Sequence, residues 1–383
     1  MESKFFPGSS EVVIKTEKEI SPELVANAKK TLEEFLGLKP EERLLFLTDK
    51  STNPDFLTVL KKAVDEIKCA SEEKKIAGKI KKAEYEQLMS DKTLVFDLAE
   101  NSEKMTERFY DDLEEDCSYR LVNMWGLGPD SFEKEGAMTE PLTELEKRLG
   151  KMEALLKEVA GFKITSSYGT NLEAPLRPFN ERRWYKDSGV VKESGEWDNL
   201  PGGEIFTTPD ERFVNGLLVV PAIDSQIAKE QGVDEFVRIT IRNGKISSIL
   251  GGRSAEILRK RMAEEAKAQA KEGEDPLNVF QIAEIAFGAN SKARSTVKDP
   301  EQPYNFPGVS VVEAEKRFGT MHLAFGSSKH GNEGTEGFED AVSHFDFVIP
   351  RNGLTVETFS SERDWQKKSN GRKIISEGGI NFF

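Results

Sequence analysis

The chain has 383 residues, 32% of them charged, and a formal net charge of −14, a balance that argues against a general nucleic-acid or anionic-membrane binder. It is long enough for two domains with cores of their own. Its two cysteines, Cys69 and Cys117, make neither a disulfide framework nor a metal-type spacing, which fits a reducing compartment. The N-terminus lacks a basic region followed by an apolar run, and no stretch approaches the roughly 20 apolar residues that span a bilayer, so a soluble cytoplasmic protein is expected.

The first half alternates between helices and strands. Ser21 and Pro22 open a helix over 21–36 that stops at Gly37, with an N-cap, a first-turn proline and a terminal glycine as its boundary signals. The apolar run Leu44 to Leu47 predicts a strand ending in Thr48 and Asp49. Asn53-Pro54 then opens an amphipathic helix carrying Phe56, Val59, Leu60, Ala63, Val64 and Ile67 at helical spacing. Further expectations are a lysine-rich helical piece over 71–89, a strand from Thr93 to Leu98, a helix from Ser102 to Leu113 and a strand near Tyr119 to Asn123. A helix from Pro141 to Val159 and a strand from Phe162 to Thr165 follow. This order predicts an α/β domain with a mainly parallel sheet over about residues 1–165. After its first strand, LLFLTDKSTNP contains no glycine, so a dinucleotide fingerprint is lacking. Glutamates interleave the lysines of Lys74 to Gln87, which therefore read as a solvated helix face.

From Tyr168 the texture turns to glycine, proline and short extended runs. Strands are expected at Phe213 to Val220, Glu235 to Ile241 and Lys245 to Leu250, the last two joined by an Asn243-Gly244 hairpin turn. Ser254 caps a charged, solvent-facing helix that runs to Lys271 before Gly273, and Val279 to Phe287 is an apolar strand interrupted by Gln281 and Glu284. Together these predict a β-rich domain over about 166–383. Trp184, Tyr185 and Trp197 read as packing aromatics.

All three histidines, His322, His330 and His344, fall between Gly319 and Val348. Val342 to Ile349 alternates as a strand does, so His344, Asp346 and Val348 share one face while Phe345, Phe347 and Ile349 share the other. His322 lies in a second strand-like run, Thr320 to Phe325, and a neighbouring strand would bring its ring to the same point. Two imidazoles and a carboxylate suit zinc, cobalt, manganese or ferrous iron; the same His-x-Asp pair also occurs as an ordinary hydrogen-bonded pair on a sheet. Glu284 sits in an apolar strand, where an ionised carboxylate costs several kcal/mol unless a cation meets it. Either a metal or one of the nearby Lys292 and Arg294 would do so. Glu204, in NLPGGEIFTTP, has a backbone shaped to present one side chain; alone it reads as an ordinary loop glutamate, and taken with His322, His344 and Asp346 as a fourth or fifth ligand, enough for one or two ions.

The order NLPGGEIFTTP, AEIAFGAN, EKRFGTMHLAFG and SHFDFV resembles the metal-dependent aminopeptidase family that includes aminopeptidase T and aminopeptidase S, over most of residues 165–350. That resemblance implies an N-terminal α/β domain, a β-rich catalytic domain and a homodimer. It also implies two glutamates, two histidines, an aspartate and a tyrosine around a pair of divalent ions. Glu204 matches the first glutamate, Glu284 the second, His322 the histidine of GTxH, and His344 with Asp346 the final pair. The tyrosine is missing: Lys329 occupies its place, suited to holding a carboxylate or stabilising an oxyanion, with His330 beside it as a replacement ligand or a loop residue. A relative, 2,5-dihydroxypyridine dioxygenase, is similar over the same motifs and implies a single ferrous ion on His322, His344 and Asp346. The first expectation is a metallo-aminopeptidase acting on small peptides, with zinc, cobalt or manganese and with Glu204, Glu284 and Lys329 in the chemistry. An iron dioxygenase acting on a small hydroxylated aromatic is the alternative, and a metal-stabilised binding protein a third class.

Overall fold

The computed structural model describes residues 20–99, 119–221, 236–271, 273–295, 297, 309–329, 337, 341 and 343–382. Cys117, His330 and the helix expected over Ser102 to Leu113 lie outside them.

Helix α1 (Pro22–Phe35) starts where Ser21 Oγ accepts from the Glu23 N–H at 3.2 Å, and α2 (Pro54–Ile67) starts where Asn53 accepts from both Asp55 and Phe56. Each buries one apolar stripe, Val25, Ala28, Leu32 and Phe35 on the first and Phe56 to Ile67 on the second. Between them runs β1 (Arg43–Thr48), which pairs in parallel with β3 (Leu94–Asp97), itself parallel to β4 (Arg120–Asn123). Alternation sends Leu44, Phe46, Leu94, Phe96 and Val122 into the main core with α1 and α2. Leu45, Leu47, Val95 and Leu121 enter a second core with Tyr85, Met89 and Tyr119. A sheet covered on both faces explains why its strands read as continuous apolar runs.

The stretch 71–89 corrects the expectation of one helical piece. Its first part is β2 (Ala70–Lys75), an outer strand parallel to β1, and only its second part is helical, α3 (Lys82–Met89). Nearly every side chain of β2 is exposed. An edge strand of that kind needs no apolar alternation, so sequence periodicity has nothing to detect. The interleaved charges pair in solvent, Lys61 with Glu73 at 2.6 Å and Lys74 with Glu84 at 2.7 Å.

Two strands join sheets on the far side of residue 165. β5 (Gly161–Thr165), which follows α4 (Leu142–Leu156), enters a long antiparallel sheet, while β8 (Trp197–Asn199) returns to complete the parallel one beside β4. The long sheet has eight strands and contains β6 (Asn171–Pro175), β10 (Asn215–Pro221), β11 (Phe236–Arg242), β12 (Lys245–Leu250), β16 (Thr355–Phe359), β17 (Arg372–Ser376) and β18 (Gly379–Ile380). Its β11–β12 hairpin turns at Asn243-Gly244 as expected, and α5 (Arg253–Lys271) packs on that pair. The architecture is thus mixed: one parallel α/β sheet and two antiparallel sheets.

The third sheet carries the chemistry. Its order is β15 (His344–Ile349), β14 (Met321–Gly326), β13 (Ile282–Gly288), β9 (Glu204–Thr207) and β7 (Tyr185–Asp187), all antiparallel. The strand expected from Val279 begins at Ile282, because Asn278–Phe280 forms a 3-10 turn. Ile205, Ile285, Phe287, Leu323, Phe325, Phe345, Phe347 and Ile349 enter the main core. The opposite face holds the polar residues, as the period of two requires.

Candidate metal centre

Cross-strand register assembles the site row by row. Glu284, Ala324 and Asp346 stand side by side on β13, β14 and β15; Ala286, His322 and Val348 form the next row; Gly288, Glu204 and Asp187 form a third across β13, β9 and β7. Alanines between the long acidic side chains leave room for them to converge. His322 Nε2 lies 2.9 Å from Glu284 Oε1 and 3.2 Å from Glu204 Oε2. His344 Nε2 lies 3.4 Å from Asp346 Oδ1 and 3.7 Å from Glu284 Oε2. The five residues expected to act as ligands therefore meet.

The presentation of Glu204 depends on the loop before it. Gly203 has φ +124°, and a Cβ there would lie 2.7 Å from Asn290 Cβ; its N–H donates to Asp187 O, and its carbonyl accepts from Ala289 N–H at 2.6 Å. Gly203→Ala is expected to cost about 2–4 kcal/mol of folding stability, since strain and overlap add. Urea denaturation checks this, and a change within about 0.5 kcal/mol would mean the loop adapts freely.

Glu284 does not pair with Lys292 or Arg294. Arg294 is held by Glu313, with Nε–Oε1 at 2.6 Å, and by Asp130, while Lys292 Nζ donates to Lys134 O and Thr139 Oγ1. Lys329 is exposed beyond the end of β14, its N–H donating to Ser327 Oγ at 3.3 Å. Trp184 and Trp197 pack against the cores, as expected of aromatics. Tyr185 differs: it shares the polar face with Asp187, and burial together with Asp198 and Asp187 raises its phenol above the ordinary range.

Sequence reasoning missed the far end of the site. Helix α6 (Val311–Lys316) ends against β13, where Gly288 leaves room for the Arg317 and Glu315 carbonyls. It delivers Glu315 and Lys316, the latter 0% exposed. Lys316 Nζ contacts Glu204 Oε1 and lies 3.0 Å from Glu315 Oε1 and 3.1 Å from Asp187 Oδ2. Asp198, on β8, is close to Asp187, and burial together with that neighbouring carboxylate raises its carboxyl well above the usual range. The motif EKRFGTMH contained Glu315 and Lys316, but an adjacent acid and base before a turn look like an exposed helix end. β7 is only three residues long and offers no period to read.

Electrostatics follow from this crowding. Desolvation pushes the Glu204 carboxyl up to about 8, with Lys316 and His322 opposing and Glu315 and Asp187 adding to the rise. Desolvation opposes charge on His322, but its Glu284 hydrogen bond and Glu204 outweigh it and raise the ring to about 9. For His344 the same opposition is overcome by Asp346 and Glu284, reaching about 10, while Asp346 is drawn down to about 2 against desolvation by His344. The metal-free stability from both imidazoles and Glu204 is thus fully present below their unfolded values, 6.5 and 4.5, and is lost as pH rises through 8 to 10. A metal must displace those ring protons, so apparent affinity rises with pH over the same window. Calorimetry at pH 7 in buffers of different ionisation enthalpy should show about two protons released per ion; release of none would mean that the rings do not bind it.

The residues fit a divalent ion. Six carboxyl groups, those of Asp187, Asp198, Glu204, Glu284, Glu315 and Asp346, face a single ammonium and two imidazoles. Glu315 Oε2, Glu204 Oε2 and His322 Nδ1 are buried without a hydrogen-bond partner. Three overlapping sets, Glu204–Glu284–His322, Glu284–His344–Asp346 and Glu315–His322–Asp346, each bring candidate ligand atoms within 4.8 Å of one another. Nδ1 of His344 faces the Ser327 carbonyl at 2.8 Å, which orients the ring and leaves Nε2 for a metal. His344 and Asp346 keep 31% and 21% side-chain exposure, so the centre opens on the β15 side.

The profile of the family described as NicX, 2,5-dihydroxypyridine 5,6-dioxygenase, matches residues 133–357, more than half of the chain. The chain belongs to the NicX family. A 2,5-dihydroxypyridine 5,6-dioxygenase of Pseudomonas putida is 31% identical over 156 residues, a match spanning 41% of this chain and 41% of that protein. The solved 2,5-dihydroxypyridine dioxygenase structure from Pseudomonas putida shares the fold at TM-score 0.62 and 18% identity, over 93% of this chain and 96% of the other. AmpT, aminopeptidase T, from Thermus thermophilus does so at TM-score 0.61 and 13% identity, over 94% and 98%. Aminopeptidase T and the dioxygenase, two of the relatives named by the resemblance in the motifs, are thus found, and Glu204, Glu284, His322, His344 and Asp346 of this NicX-family chain fall inside the matched span. Among the described residues, no helix of this NicX-family protein is long and apolar enough to cross a membrane.

Proposed function

We propose that this chain is a single-metal, ring-opening dioxygenase whose substrate is a small hydroxylated aromatic of the 2,5-dihydroxypyridine kind. The observation that carries the reading is the open end of the site, where Glu284, His344 and Asp346 bring candidate ligand atoms within 4.8 Å of one another and His322 meets the same Glu284 at 2.9 Å. A metal held by the two imidazoles and the aspartate would keep positions open for substrate and oxygen. Family membership supports the same reading. So does the loss of the tyrosine that the resemblance to the two-ion aminopeptidases implies.

When bound, a ferrous ion would supply Lewis acidity and a meeting point for ring and oxygen. The rest falls to the chain. Glu204, with its carboxyl near 8, exchanges a proton close to neutrality and would accept one from a ring hydroxyl. Glu284 steadies the His322 ring, and the Ser327 carbonyl steadies His344. Phe206 and Tyr185, tilted together at 5.2 Å on the polar face, offer a wall against which a flat ring can lie.

A metallo-aminopeptidase is the second reading, favoured by Glu204 and Glu284, two carboxylates more than a three-ligand iron face requires. There, zinc, cobalt or manganese would bind a small peptide, and either glutamate would take the proton of water. A cytoplasmic homodimer accompanies both readings, and gel filtration reports on the dimer. The deciding experiment loads the protein anaerobically with ferrous iron and follows oxygen uptake against loss of 2,5-dihydroxypyridine. Parallel samples with zinc, cobalt or manganese are assayed on dipeptides. Dipeptide cleavage without oxygen consumption would overturn the first reading.

A further inference from the structure

The two buried glutamates of the well use their oxygens differently. Glu284 turns both toward imidazoles, Oε1 to His322 Nε2 at 2.9 Å and Oε2 to His344 Nε2 at 3.7 Å. Glu204 is divided. Its Oε1 contacts the ammonium of Lys316, while its Oε2, 3.2 Å from His322 Nε2, is buried without a hydrogen-bond partner. An unmet buried acceptor costs free energy, so an unconstrained carboxylate would turn until both oxygens found donors.

Lys316 supplies the constraint. It is fully buried, and its three N–H donors face carboxylates on three different elements: Glu204 on β9, Asp187 on β7 at 3.1 Å and Glu315 on α6 at 3.0 Å. Its backbone is fixed as well. The Lys316 carbonyl accepts from Asn290 N–H at 2.8 Å, and the chain beside it packs on Gly288, where a Cβ would lie 2.2 Å from the Arg317 carbonyl. Gly288 is also the cross-strand neighbour of Glu204, so the position that admits α6 is the one beside the glutamate.

We infer that Lys316 is a positioning residue for Glu204: it holds Oε1 and thereby presents Oε2 alone to the metal and the substrate. Glu284 needs no such partner, because two rings already face it. This assignment rests on the proposed reading that the imidazole end binds a metal, and it holds for one ion or two. It adds which oxygen of Glu204 works there and what aims it, and it gives Asp187 and Glu315 the task of holding the ammonium in place.

The full chain is loaded with cobalt for its visible absorption band and with ferrous iron for turnover of 2,5-dihydroxypyridine, as wild type, Lys316→Met and Lys316→Ala. With Oε1 released, Glu204 can turn both oxygens toward the ion, so the cobalt band of each variant should shift. Turnover should fall about 10–100-fold, the usual cost of losing a group that orients a ligand. That loss should lie in kcat, with KM changed by no more than about twofold. In Lys316→Ala, added n-propylammonium restores the missing chain and its charge and should bring back both band and turnover, whereas n-propanol, similar in size and neutral, should not. An unshifted band or an unchanged kcat in a folded variant, or equal recovery with n-propanol, would overturn the inference. A wild type that binds cobalt but converts no dihydroxypyridine would overturn the proposed function alone, and the band then decides the role of Lys316; a wild type that binds no cobalt would overturn both. Should neither Lys316 variant fold, Asp187→Asn takes their place, since it removes one anchor of the ammonium and keeps an oxygen for the Gly189 N–H. A shifted cobalt band in that variant supports the assignment, and an unshifted one overturns it.

Discussion

His344→Ala is expected to retain less than about a tenth of the wild-type metal after desalting and to lose roughly a thousandfold in turnover, equivalent to about 4 kcal/mol of transition-state stabilisation. The size of the effect follows from where the ring stands. Its Nε2 lies 3.4 Å from Asp346 and 3.7 Å from Glu284, and its Nδ1 is occupied by the Ser327 carbonyl. No other described side chain can swing in to replace that nitrogen, since His322 is already between Glu204 and Glu284. The ring is also partly exposed, so truncation opens little cavity and the fold should survive. Metal content and turnover are measured together, with circular dichroism as the check on folding. A folded variant with its full complement of metal would remove His344 from the centre.

Lys316→Met is expected to lower the stability of the metal-free protein by about 3–5 kcal/mol, the usual cost of leaving buried charge without its partner. Lys61→Met makes the comparison. Lys61 also has a carboxylate partner, Glu73 at 2.6 Å, but both side chains are more than a third exposed, and an ion pair of that kind contributes at most about 1 kcal/mol. Urea unfolding in the presence of a chelator measures both. The Lys316 deficit should shrink as pH is lowered from 8 toward 5, because Glu204, with its carboxyl raised to about 8, becomes protonated and no longer needs compensation. Equal costs for the two variants would show that Lys316 contributes packing and not charge.

Much of this arrangement was legible in the residues, for reasons that differ from element to element. The stripe from Phe56 to Ile67 and the cap at Asn53 specify α2 by themselves, because burial and capping act within a few residues. The alternation of His344 to Ile349 specified which side chains share a face, since a strand has no other choice. Which strands lie beside it is a non-local matter. Glu204 and Glu284 were joined to the imidazoles by no period, but by the cost of a carboxylate in an apolar strand, by a glycine-rich loop and by the resemblance to known motifs. Lys316 was invisible for the opposite reason: it sits beside Glu315 in a charged pair that reads as solvent-facing, and only the approach of α6 to Gly288 buries it. β2 and β7 escaped because one is polar throughout and the other is three residues long.

The return of β8 to the parallel sheet bears on how this chain can be divided. Its Trp197 to Asn199 backbone completes the ladder beside Leu121 to Asn123, and its Asp198 carboxyl feels the charge of Asp187, which lies next to the ammonium of Lys316. Severing the polypeptide after residue 165 would strip one fragment of its outermost ladder and the other of the surface its acidic well leans on. Complementation by the two pieces, mixed after separate expression, would then succeed only through reassembly of that shared seam.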